Sequence, residues 1–98
     1  MINSADIQRC YNDLYSAMRR YIWNYNTVES LATLEVSVYL RCPDIYDIRN
    51  NFYKLKSIVR SSVVSDKKLD ESFDKFEEMI NSDDSVYCMI KGLDEVVQ

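Results

Sequence analysis

Apolar side chains recur along this chain at steps of three and four residues, with polar residues between them. From Ser4 to about Tyr25 the positions Ile7, Tyr11, Leu14, Met18, Tyr21 and Tyr25 keep that rhythm, which places them on one face of an α-helix. Ser4 is the expected N-cap, since its hydroxyl can accept from a backbone N–H two or three places on. Asn26 and Thr27 are plausible caps for a second helix, with Glu29 three places beyond Asn26, and Val28, Leu31, Leu34 and Val38 follow at helical spacing.

Cys42-Pro43-Asp44 reads as a boundary and a new start. Proline disfavours helix in the residue before it but suits the first helical position, and an acid suits the first turn. The third helix then carries Ile45, Ile48, Phe52, Leu55 and Val59 and runs to Val63 or Val64. Ser65-Asp66 caps a fourth, with Leu69, Phe73, Phe76 and Ile80 inward and Met79 beside them. The polar run Asn81 to Ser85 breaks it. A short fifth helix with Val86, Met89, Ile90, Leu93 and Val97 is expected to fray, because Gly92 in its interior costs about 1 kcal/mol relative to Ala.

One stretch fits two periods. Leu34, Val36, Val38, Leu40 and Cys42 alternate with Glu35, Ser37, Tyr39 and Arg41, the pattern of a half-buried strand. A lone strand needs a partner, and the other β-branched runs, at Ile58-Val59 and Val63-Val64, belong to a helical segment. Helix over 28–41 is therefore the expectation, with a short strand at 34–42 as its competitor. The expected fold class is all-α: a compact antiparallel bundle of four or five helices in a single domain over residues 1–98.

Composition agrees with a self-sufficient helical core. The chain is 47% hydrophobic and 29% charged, inside the range of domains that fold, and its one Gly and one Pro leave few places for hairpin turns. No apolar run approaches the ~20 residues that cross a bilayer, and the opening Met-Ile-Asn-Ser-Ala-Asp lacks the basic-then-apolar order of a secretory signal. Cys10, Cys42 and Cys88 are odd in number and far apart, which fits reduced thiols better than a disulfide framework. A soluble, cytoplasmic protein is the resulting expectation.

The chemistry missing from the chain narrows its function. With no histidine it lacks the commonest general base and metal ligand, and with Gly92 as its only glycine it has neither a P-loop nor a dinucleotide-binding turn. There is no Cys-x-x-Cys pair. The carboxylates Asp70, Asp74 and Glu78 share a helix face, but Lys67, Lys68 and Lys75 interrupt it as on an ordinary solvated surface. No catalytic residue, metal site or cofactor is expected.

Two surfaces remain as candidate binding faces. Residues 66–98 hold ten acids against four lysines, while residues 1–65 carry eight Lys or Arg against six acids, so the net charge of −4 is concentrated near the carboxyl end. That acidic pole, including Asp70, Glu71, Asp74, Glu77, Glu78, Asp83 and Asp84, can steer a basic partner and disfavours direct contact with nucleic acid. The second surface is aromatic and basic. Arg19, Arg20 and Trp23 lie off the first stripe, and Tyr46, Tyr53 and Arg60 recur seven apart with Arg49 beside them. Tyr, Trp and Arg are the types enriched in interface hot spots.

The expected function is thus a non-enzymatic protein-interaction module. It would be a small inhibitor that occupies a nucleic-acid-handling protein, in the general manner of the anti-CRISPR and antitoxin-like proteins of phage and mobile elements. No motif identifies either family, so this is an analogy of class. Self-association into a homodimer through the aromatic face is the structural alternative. A helix-turn-helix built from helices two and three, reading DNA with Tyr46, Arg49, Tyr53 and Arg60, is a third.

Overall fold

The computed structural model describes residues 3–62 and 64–82. They form four α-helices: α1 over Ser4–Met18, α2 over Tyr25–Val38, α3 over Ile45–Arg60 and α4 over Lys67–Asn81. Among the described residues there is no strand, and the segment that alternates with period two is helical to Val38 and then turns. The expected fifth helix, Asp83 and Asp84 lie outside the described residues.

Each helix begins on an Asn or Asp whose side chain takes up an otherwise unpaired amide. Asn3 accepts from the N–H of Ala5 at 2.8 Å, Asn24 from Thr27 at 2.9 Å, Asp44 from Tyr46 at 3.0 Å and Asp66 from Lys68 at 2.8 Å. The first three differ from the sequence expectation: at α3, Asp44 is the cap itself rather than a first-turn acid, Pro43 lies outside the helix, and the helix ends at Arg60 rather than Val63 or Val64. Asn3 caps α1 in place of Ser4, which is the first helical residue, with its hydroxyl buried and unpartnered among the described residues. Asn24 caps α2 two residues earlier than Asn26, and the Thr27 hydroxyl adds a second hydrogen bond to it.

The first helix also stops early. It ends at Met18 rather than Tyr25, and the indole Nε1 of Trp23 folds back to donate to the Met18 carbonyl at 2.8 Å. That bond satisfies one of the carbonyls that every helix C-terminus leaves without an internal partner. Tyr25, seven residues past Met18, becomes the first residue of α2 and is 77% exposed.

α1 packs chiefly against α4 and α2 chiefly against α3, with lighter seams between α1 and α2 and between α3 and α4. The cores of α3 (Ile45, Ile48, Phe52, Leu55, Val59) and α4 (Leu69, Phe73, Phe76, Ile80) are fully buried along the predicted stripes. Phe52 lies at their meeting point, stacked on Phe76 with ring centroids 4.8 Å apart and tilted against Phe73 at 5.8 Å. From α1, Ile7, Tyr11, Leu14 and Met18 join this core, and from α2 Leu31, Leu34 and Val38. The buried Tyr11 donates its hydroxyl to the carbonyl of Leu31 at 3.4 Å, and burial, followed by the nearby Glu35, pushes its pKa far up.

The cysteines correct a further expectation. Cys10 is a free, buried thiol whose pKa is raised chiefly by burial, whereas Cys42 is disulfide-bonded and Cys88 lies outside the described residues. Cys42 is therefore not one of three reduced thiols, contrary to the expectation from cysteine number and spacing. No described helix is long and apolar enough to cross a membrane.

Candidate protein-interaction faces

Several residues of the two candidate surfaces are engaged in the seam between α3 and α4. α3 and α4 run antiparallel with their charged flanks in register, so Lys56 pairs with Glu77 and Arg60 with Asp70 at 2.8 Å. Arg49 donates from Nε to the Ile80 carbonyl in the last turn of α4 at 2.9 Å, where a cation meets the negative end of the helix dipole. Tyr53 accepts from the Asn81 side chain at 2.9 Å. Arg49, Tyr53 and Arg60 thus serve the α3–α4 seam, and a helix-turn-helix reading would have to find them already engaged. Tyr46 is the member left outward, 65% exposed with the Arg49 guanidinium 5.7 Å from its ring centroid.

Arg19, Arg20 and Trp23 face three different partners rather than forming a patch. The Arg19 guanidinium lies 5.8 Å over Tyr15, Arg20 reaches Asp66 at 3.9 Å, and Trp23 is half-buried on Met18 and the edge of Tyr21. The helical geometry that would have set Trp23 beside the two arginines ends with α1 at Met18.

Of the acidic pole, Asp70 and Glu77 are used by α3, while Glu71, Asp74 and Glu78 are exposed, one and two turns apart, and no ion pair joins them to a described residue. Lys75, on the α1 side of this ridge, reaches Asp13 at 3.8 Å. Among the described residues, this ridge is the part of the pole open to a partner.

The surface that residue types did not flag is the outer side of α2. Its core positions Leu31, Leu34 and Val38 are buried, yet Tyr25 (77%), Val28 (52%), Val36 (63%) and Tyr39 (45%) are exposed, as is Ala32. At about 100° per residue these five fall within an arc of roughly 80°, a continuous apolar stripe on the outer side of α2, whose last member, Tyr39, leans back on α1 and donates from its hydroxyl to the Asn12 side chain at 3.0 Å. Ile22, wholly exposed, adjoins its amino-terminal end, and Tyr15, stacked on Tyr11, lies near the other, where Tyr39 meets Tyr11 edge-on. A helix apolar on both sides also explains the strand-like alternation. Leu34 and Val38 face in while Val36 and Leu40 face out, which is a period of two in sequence and opposite faces in space.

A polar cleft of about 480 Å³ lies between α2 and α3, lined by Asn24, Glu29, Ser30, Thr33, Asn51 and Lys54 among others. Among the described residues no group of three or more His, Cys, Asp or Glu could hold a metal ion. No protein-family model, curated protein or solved structure matches the chain.

Proposed function

We propose that this protein is a non-enzymatic protein-interaction module that acts by occupying a partner: a small inhibitor of the anti-CRISPR-like or antitoxin-like class, directed at a nucleic-acid-handling protein. The observation that carries the reading is the outer face of α2. Contiguous exposed apolar surface is costly in water and marks protein contact sites in soluble domains, and here it is in helical register with tyrosines at both ends. The unpaired ridge of Glu71, Asp74 and Glu78 supports the choice of partner, because surfaces that hold nucleic acid are basic and a ridge of carboxylates complements them.

An affinity capture from the native host, run beside Val36→Glu and a triple Glu71→Lys, Asp74→Lys, Glu78→Lys variant, tests both halves. A specific partner, lost with Val36→Glu and weakened by the triple reversal, is the expected result. A partner retained by Val36→Glu overturns the role of α2, and one indifferent to the triple reversal overturns the acidic ridge as its recognition element. The ridge is the right target because Asp70 and Glu77 hold α4 to α3.

A further inference from the structure

We infer that the outer face of α2 is a seat for an amphipathic helix of the partner, one whose apolar stripe is flanked on both sides by lysine or arginine; this rests on the interaction-module reading and names what the module grips. The stripe from Tyr25 to Tyr39 is about 21 Å long at the helical rise, four turns, and as narrow as the contact line of one helix on another. Ala32 sits mid-stripe between Val28 and Val36, a low point into which one partner side chain can insert, with Tyr25 and Tyr39 closing the two ends. Anchors at three- and four-residue spacing are how one helix reads another in a groove.

Charge selects the occupant. Glu29 and Glu35 are the only charged residues of α2, both exposed and neither ion-paired to a described residue. They lie about 60° to either side of the stripe and about 9 Å apart along the axis, an acidic flank on each edge, staggered. A second copy docking through the same face would bring four carboxylates together, which like-charge repulsion disfavours. A helix with basic flanks meets opposite charge on both edges. The apolar stripe then provides affinity, and the glutamates provide orientation and discrimination.

The test uses two synthetic 18-residue helical peptides with one shared apolar stripe, flanked either by lysines or by glutamates, titrated against the whole protein by fluorescence anisotropy with amide chemical-shift mapping. The lysine-flanked peptide should bind about tenfold or more tighter, with shifts centred on residues 25–40 and affinity falling as salt rises. A double Glu29→Lys, Glu35→Lys variant should invert the preference, and Val36→Glu should abolish binding of both. Equal binding of the two peptides, no binding of either, a preference untouched by the double reversal, or a concentration-dependent dimer dissolved by Val36→Glu would each overturn the proposal. A partner still captured by the wild type and lost with Val36→Glu would show the module reading surviving that failure.

Discussion

The phenol of Tyr21 donates a hydrogen bond to the carboxylate of Asp66, joining the turn after α1 to the residue that caps α4. Forty-five residues of chain separate them. The bond, followed by the backbone N–H of Leu69, lowers the pKa of Asp66, and the same bond raises that of Tyr21. Asp66 thereby caps α4 and anchors the end of α1 with one side chain.

The pH dependence follows from those directions. A depressed carboxylate contributes stability that is full above its unfolded pKa and is lost as pH falls through the lower folded value; a raised phenol contributes below its unfolded pKa and loses it as pH rises through the higher folded value. Tyr21→Phe should therefore be less stable than wild type between about pH 5 and 9, with the gap closing toward either extreme. Urea midpoints across that range measure it, and superimposable curves at neutral pH would refute the coupling.

The pair Val36 and Val38, two positions apart, separates helix from strand. In a strand both would lie on one face; in α2 Val36 is 63% exposed and Val38 wholly buried. Val36→Glu should change stability by no more than about 0.5 kcal/mol, while Val38→Glu, burying a charge, should cost several kcal/mol or prevent folding. Thermal melts by circular dichroism decide it, and similar losses in both variants would count against α2.

Phe76 fills the interior between α3 and α4 and stacks on Phe52. Phe76→Ala should cost about 3–5 kcal/mol through lost burial and a residual cavity. For a domain of ordinary stability, about 5–15 kcal/mol, that leaves a small margin. A loss below about 1 kcal/mol in urea unfolding would show the core to be looser than its geometry.

The cysteines should differ in chemistry. Cys10, buried and raised in pKa, should resist iodoacetamide in the native protein and react on unfolding, because the thiolate is the nucleophile. Cys42 should react only after reduction. Peptide mapping after labelling, with and without reductant, reads both sites.

The inward stripes of α3 and α4 were legible in the sequence because each of these helices is apolar on one side only, and their predicted residues are the buried ones. The candidate surfaces were less so. Arg60, Asp70, Lys56 and Glu77 are the right residue types for a binding face, but charges distant in sequence satisfy each other first where helices pack in register. The α2 face was obscured by its own composition, since an apolar residue counts toward a core stripe until a neighbour's position shows which side is covered.

What the sequence by itself determined is the four helices of the described residues and the inner face of most of them, because hydrophobic periodicity and Asx caps act over a few residues. Tertiary structure decided where α1 ends, which acidic and basic groups of the described residues pair with one another, and that Tyr25, Val28 and Val36 face outward. Those depend on which helix lies against which. Among the described residues, α2 packs chiefly on α3 and lightly on α1, and it has more apolar surface than these two helices cover.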